Sequence, residues 1–248
     1  PGVASITYSA GGAQATPATT VPGASTQVVV STDGTTTLSY FATDTAGTTS
    51  APQSLTVQVD QSAPAVTCAA PSAAWSATNV SIACTASDGF SGLANPNQAS
   101  FALNTTVPAG TETASATTAS ATVCDLAGNC ATAGPVTGLK VDRLASSITI
   151  TAPAGTYSAG QLVTVAFACS DGGSGVATCV GTQSAGSLLN TLLTGSHSFV
   201  VDATDRVGNH SRLMATYTVA APTCQGGGDG DGDHHRHGYF VDWNCDDR

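Results

Sequence analysis

Three aspartates, Asp44, Asp125 and Asp205, each open an Asp-x-x-Gly turn, and they recur at an interval of about eighty residues. Two of the turns continue into Asn, as Asp125-Leu-Ala-Gly128-Asn129 and Asp205-Arg-Val-Gly208-Asn209. Carboxylates at recurring turns could serve as calcium ligands at domain joints, because calcium takes several hard oxygen donors. One carboxylate per turn is too few for such a cage. The structural alternative has Asp accepting backbone N–H bonds inside the turn, with Gly and the Asn after it in left-handed geometry. The spacing favours the structural role.

The second group with metal chemistry lies near the C-terminus. Asp229, Asp231 and Asp233 have the 1-3-5 spacing of a calcium loop. The acid expected at its twelfth position is Phe240, however, and the turn glycine expected at its sixth is His234, so this is not an EF-hand. His234, His235 and His237 offer imidazoles to zinc, nickel or copper. Against that stands a solvated Gly/Asp/His tail with no specific ion. A divalent metal at the tail is the one cofactor the sequence suggests. Tyr239, Val241 and Trp243 alternate along the same tail and read as a short strand, a candidate donor to an open sheet edge. The alternative is that Trp243 folds back on the domain before it.

Eight cysteines form the third group: Cys68, Cys84, Cys124, Cys130, Cys169, Cys179, Cys224 and Cys245. Cys124 and Cys130 flank one Asp-x-x-Gly-Asn turn, and Cys169 and Cys179 flank a Ser-Asp-Gly-Gly-Ser-Gly turn. Cys68 and Cys84 sit on two strand-like runs, and Cys224 and Cys245 bracket the tail. Pairing of neighbours gives four bridges and an oxidising, extracellular setting. Free buried thiols or metal ligands are the alternative, weakened by the lack of any Cys-x-x-Cys pair.

Catalytic patterns are missing. There is no Gly-x-Ser-x-Gly elbow, no His-Glu-x-x-His and no phosphate loop. A single Glu, Glu112, leaves only Asp pairs for glycoside chemistry. The chain is read as a non-enzyme. Its formal net charge of −10 and lack of a basic patch exclude nucleic acid as an expected partner. No apolar run is long enough to span a membrane as a helix. No signal peptide is present, so an export signal is expected to lie outside the chain. Sequons at Asn79, Asn104 and Asn209 are expected by chance in so Ser/Thr-rich a sequence. The single Lys, Lys140, makes an isopeptide crosslink a poor fit.

The elements that must carry these groups are strands. Charged residues make up 9% and aromatics 5%, while Thr, Val, Gly and Pro supply pleated segments and turns. Strands are expected near 65–69, 79–85, 99–103, 112–124 and 130–141, and again near 147–151, 161–169, 176–181, 196–204 and 212–219. Earlier alternation appears at Ala4-Ile6-Tyr8, Val28-Val30, Leu38-Tyr40 and Leu55-Val57-Val59. A Gly-(Val/Leu)-Ala turn recurs at Gly2, Gly92 and Gly175. About thirty residues with two strand-like runs precede it in the second and third copies but not in the first. A repeat of this length marks a domain array. The expected division is 1–60, an incomplete repeat; 61–143 and 144–220, complete repeats; and 221–248, the tail. The fold class is all-β: tandem immunoglobulin-like β-sandwiches, the first lacking its leading strands.

Tyr40-Phe-Ala-Thr-Asp44-Thr-Ala-Gly47, Val123-Cys-Asp-Leu-Ala-Gly-Asn-Cys130, Ala203-Thr-Asp205-Arg-Val-Gly-Asn209 and the Val-Asp joints at 59–60 and 141–142 carry a resemblance. Over residues 1–220 the chain resembles the bacterial immunoglobulin-like repeats of secreted and cell-surface proteins. The resemblance implies an adhesin stalk, a spacer, a filament part or the non-catalytic arm of a secreted enzyme. The expected function is therefore structural and extracellular, as a surface stalk, adhesin segment or filament subunit joined head to tail by strand complementation. Expected partners are copies of itself or neighbouring repeats. The alternative is a module binding cell-surface glycans, with Trp75 and Phe90 as stacking candidates.

Overall fold

The computed structural model describes residues 2–221. They are all-β: eighteen strands, one four-residue 3-10 turn at Pro96–Ala99, and no α-helix among the described residues. No described helix is long and apolar enough to cross a membrane. By internal contacts the chain divides into two compact units. One takes residues 2–73, Asn79–Thr106 and Ser115–Leu139; the other takes Ala74–Thr78, Val107–Ala114 and residues 140–221. The second sequence repeat thus contributes to both units.

The third repeat shows the architecture most completely. Its strands are β13 (Ser147–Ala152), β14 (Gly155–Ser158), β15 (Ala166–Ser170), β16 (Val176–Gly181), β17 (Gly195–Asp205) and β18 (His210–Ala220). β13 pairs with β15 in one sheet, and β14-β18-β17-β16 form the other. The leading segment changes sheets at Pro153, since β13 lies antiparallel to β15 while β14 lies parallel to β18. The two sheets enclose Val163, Val165, Leu189, Phe199, Val201, Tyr217 and Val219, with Phe167 of β15 at 5.9 Å from Phe199 of β17. Alternate residues of β17 turn inward, as a period of two requires. This is an immunoglobulin-like sandwich.

The second repeat uses the same plan. Its strands are β5 (Ala65–Cys68), β6 (Trp75–Ser76), β7 (Ser81–Ser87), β8 (Ser100–Asn104), β9 (Glu112–Ala116), β10 (Ala121–Cys124), β11 (Cys130–Ala133) and β12 (Leu139–Asp142). β5-β7-β8 form one sheet, and β6 again runs parallel to the last strand, β12. Ile82, Cys84 and Ala86 of β7 point into the core.

Several strand expectations need correction. The runs 112–124 and 130–141 are each broken in two. Pro135 has no N–H to give the ladder, and Thr118 takes over locally, its N–H bonding Val136 O and its hydroxyl accepting from Val136 N. β15 begins at Ala166 rather than near 161, because Val163 and Val165 bond to Leu189 and Ser187 instead. Val28-Val30 is not a strand: the Gln14 side chain captures Val29 O and the Ser31 N–H. β6 and β14 are short strands that apolar alternation did not reveal.

In the first repeat β1 (Val3–Gly12), β2 (Thr16–Pro22), β3 (Gly34–Asp44) and β4 (Gln53–Val59) form one antiparallel sheet ordered β2-β1-β3-β4. Among the described residues no second sheet is built from this repeat. Cross-strand pairs Tyr8↔Tyr40, Ala10↔Leu38 and Leu38↔Leu55 place one set of apolar side chains on one face. That face is not closed over: Tyr40 is 39% and Leu55 53% exposed, and Thr36 is the only buried residue between 2 and 60.

Candidate metal centres

The Asp-x-x-Gly turns are built from side-chain caps. Asp44 Oδ1 accepts from the N–H groups of Ala46 and Thr48. Asp125 accepts from the N–H of Asn129 through Oδ1 and from its side-chain amide through Oδ2, both at 2.8 Å. Asp205 and Asn209 repeat this at 2.8 and 2.6 Å. Gly47, Gly128 and Gly208 have φ of +82°, +96° and +96°, where a side chain would be strained.

A second Asp turn recurs one strand away. In Ser87-Asp88-Gly-Phe-Ser91-Gly92, Asp88 Oδ1 accepts from the N–H groups of Phe90 and Gly92. In Ser170-Asp171-Gly-Gly-Ser174-Gly175, Asp171 Oδ1 accepts from Gly175 N at 2.6 Å. The Val-Asp joints complete the set. Asp60 accepts from Ser62 N and Ser91 N, and Asp142 accepts from Leu144 N and Ser174 N. The two joints are therefore held by the same bonds in the same order.

These turns bring the acids together. One carboxylate oxygen each from Asp60, Asp88 and Asp125 lies within 4.8 Å of the others, and the same holds for Glu112, Asp142 and Asp171. Oxygens sharing one calcium ion at about 2.3–2.6 Å would be separated by about 5 Å or less. The donors are all hard oxygens, which suit calcium, magnesium or manganese rather than a soft-ligand metal. Calcium fits best, since its irregular, multidentate shell tolerates donors from three separate loops.

The electrostatics of the two centres differ. The Glu112 carboxyl is held above its ordinary pKa by burial and then by the charges of Asp171 and Asp142; the Gly173 N–H pulls the other way, and Asp205 adds a smaller repulsion. The Asp60 carboxyl is held below its ordinary pKa by the Ser91 hydroxyl and the Ser62 N–H, which outweigh its burial. Glu112 Oε2 and Asp171 Oδ2 are shut off from solvent with no hydrogen-bond partner among the described residues. At Gly173 an added Cβ would stand 2.7 Å from Asp142 Oδ2 and 2.8 Å from Glu112 Oε2, so the backbone closes directly over the carboxylates. Orphaned buried oxygens under a glycine roof fit a cation.

Of the acids singled out in the sequence, Asp125 belongs to a cluster, Asp205 acts on one through its charge, and Asp44 joins none of the described clusters. Asp60, Asp88, Glu112, Asp142 and Asp171 were not recognised as candidate ligands. Their signal was the recurrence of Ser-Asp-Gly-x-Ser-Gly and Val-Asp, which read as turn and joint. Cys68–Cys84, Cys124–Cys130 and Cys169–Cys179 are disulfides, and no described cysteine is free. Cys224, Cys245, Asp229, Asp231, Asp233, His234, His235, His237, Tyr239, Val241 and Trp243 lie outside the described residues. Trp75 is half-buried with the Lys140 ammonium 6.0 Å from its ring centroid. Phe90 is 46% exposed and lines a cleft of about 220 Å³ with Asp60 and Leu126.

No family model matches the chain, and no curated protein does. Among solved structures, it is similar to protocadherin gamma B2 extracellular cadherin domains 3–6, with 14% identity and a TM-score of 0.35 over 87% of this chain. The chain spans 65% of the length of that segment. It is also similar to a tetra-tandem repeat in the extending region of a large adhesion protein, with 15% identity and a TM-score of 0.28 over 87% of this chain and 66% of that one. Fibronectin(III)-like modules of Clostridium thermocellum CbhA match at 13% identity and a TM-score of 0.25, over 70% of this chain and 100% of that one.

Proposed function

We propose that the chain is a non-catalytic structural segment of an extracellular protein, a bacterial surface stalk or adhesin segment whose successive repeats are braced by calcium. The observation that carries this is the recurrence of one arrangement at both Val-Asp joints. Each joint aspartate accepts from the backbone N–H of the second Ser of a Ser-Asp-Gly-x-Ser-Gly turn, gives its carbonyl to the Asn of an Asp-x-x-Gly-Asn turn, and stands in a carboxylate cluster. An uncompensated cluster repels itself, whereas a bound ion ties joint and loops together. Three disulfides support an oxidising location.

The test is thermal unfolding of the purified chain in chelator and in CaCl2 on the order of 1 mM, the range of extracellular calcium modules. A higher Tm in calcium is expected, with a smaller rise in MgCl2. An unchanged Tm would sink the calcium reading.

A second reading rests on the uncovered first sheet. Assembly by strand complementation, in which a donor segment covers the Tyr8, Leu38, Tyr40 and Leu55 face, would give head-to-tail filaments. Negative-stain electron microscopy separates the two, because filaments favour assembly and short rods favour a stalk.

A further inference from the structure

Resting on the calcium reading above, we propose that the two centres are unequal: the Glu112–Asp142–Asp171 centre takes up a divalent hard cation first, and the Asp60–Asp88–Asp125 centre fills only at higher concentration.

The centres share a plan and differ in three respects. The first is the donor set. Each centre has three acids, but where the first uses Asp125 of its Asp-x-x-Gly-Asn turn the second uses Glu112, at the start of β9, with the charge of Asp205 acting from outside the cluster. Immediately before β3 in the first repeat stands Asp33, whose carboxylate is instead occupied by the Gln61 N–H at 2.8 Å and the Ser62 hydroxyl at 3.0 Å. The same place in the hairpin therefore supplies a ligand to one centre and a linker clamp to the other.

The second is unmet demand. In the second centre two buried carboxylate oxygens, Glu112 Oε2 and Asp171 Oδ2, have no partner among the described residues. Ser174, which is 7% exposed and whose N–H holds Asp142, has a buried hydroxyl without one as well, a feature that Ser91 shares in the first centre, so the contrast rests on the carboxylates. In the first centre both oxygens of Asp60 and both of Asp125 already accept protein N–H groups. Buried, unpaired carboxylates gain most from a cation, because nothing else has replaced their hydration.

The third is enclosure. Each centre has one buried acid, but at the joint itself Asp142 is fully buried at 0% exposure while Asp60 is only part-buried, Asp125 being the buried member of the first centre. A Cβ at Gly172 would collide with Glu112, but one at Gly89, its counterpart in the first centre, would meet nothing within 4 Å. At Gly173 a Cβ would collide with Glu112 and Asp142, whereas the first centre carries Phe90 at that place. Charge count and rigidity are what tune calcium affinity over several decades. A separation of at least about tenfold in Kd is expected on that scale.

The experiment is calorimetric titration of CaCl2 into calcium-stripped full-length chain and three variants. Two classes of site are expected. Glu112→Gln and Asp171→Asn should each weaken the tight class at least about tenfold and spare the weak one, and Asp88→Asn should do the reverse. Circular dichroism confirms folding of each variant, and the near-isosteric Glu112→Gln decides the matter should Asp171→Asn not fold. Two sites of equal affinity, or a tight class removed by Asp88→Asn but not by Glu112→Gln, would overturn the inference while leaving calcium binding intact. No binding by the unmodified chain would overturn both.

Discussion

The side-chain amide of Asn209 donates to the backbone carbonyl of Asp142, 67 residues earlier, at 2.9 Å. The same amide group donates to Asp205 at 2.6 Å. One side chain thus closes a turn and grips the joint. Asn129 does this with Asp125 and with Asp60, 69 residues earlier. Replacing Asn209 with Ala removes a bond to a charged acceptor and leaves the joint carbonyl short of a donor. Asn209→Ala should lower stability by about 1–3 kcal/mol, read from denaturant unfolding monitored by circular dichroism.

The pH dependence of the calcium-free protein should carry the mark of Glu112. Its carboxyl pKa is raised in the folded state, first by burial and then by Asp171 and Asp142. The folded chain therefore holds this proton where the unfolded chain has lost it. Stability from this group falls as pH rises from the unfolded pKa through the folded one. Glu112→Gln should raise the Tm of calcium-free protein at pH 7, and the gain should vanish at a pH below the unfolded value. A variant less stable than the parent across the whole range would contradict this.

Gly173 and Gly89 lie in corresponding turns at different places, Gly89 matching Gly172 and Gly173 being replaced by Phe90 in the first centre, and alanine should be tolerated only at Gly89. A Cβ at residue 173 meets carboxylate oxygens at 2.7 and 2.8 Å, and a Cβ at residue 89 meets nothing. Gly173→Ala should cost about 1–3 kcal/mol, and Gly89→Ala should stay within about 0.5 kcal/mol of the parent. Paired chemical denaturation measures both.

The three described disulfides close loops of different length, with sequence separations of 16, 10 and 6. On the chain-entropy account each contributes about 2–3 kcal/mol, with the largest share from Cys68–Cys84. Reductant should lower the Tm, and replacing Cys68 and Cys84 together by Ser should lower it more than replacing Cys124 and Cys130 together. Cys84 is also buried, which adds to the difference.

Large-to-small changes should expose how unevenly the core is distributed. Phe199 is 1% exposed between two sheets, and Tyr40 is 39% exposed on a single one. Phe199→Ala should cost about 3–5 kcal/mol; Tyr40→Ala in the isolated chain should cost about 1 kcal/mol or less. Equal losses would mean that the first repeat has a core of its own.

The repeat was legible because turns are local. Asp, Gly and Asn at fixed offsets announce themselves in any alignment of the chain with itself, and alternation located most of the long strands. β14 was not legible, since four residues paired to a partner sixty residues away leave no periodic trace. The carboxylate clusters were not legible for a related reason. Asp60, Asp88 and Asp125 come from a joint and two turns, and only the stacking of strands brings them within 4.8 Å. One carboxylate per turn holds for each turn by itself, while the clusters draw their acids from separate segments. Asp44 shows the converse: the same local cap forms, with Thr48 where its later counterparts have Asn129 and Asn209.

The parallel pairing of β14 with β18 has a mechanical consequence. Tension applied along the chain draws β14 by its leading end and β18 by its trailing end. Because the two run the same way, that pull slides one past the other instead of peeling them apart. The register from Gly155↔Tyr217 to Ser158↔Ala220 is then loaded all at once, and its backbone bonds must rupture together before the sandwich can extend. A short strand with a single side chain, Tyr157, against the core is thereby placed where it resists extension in shear.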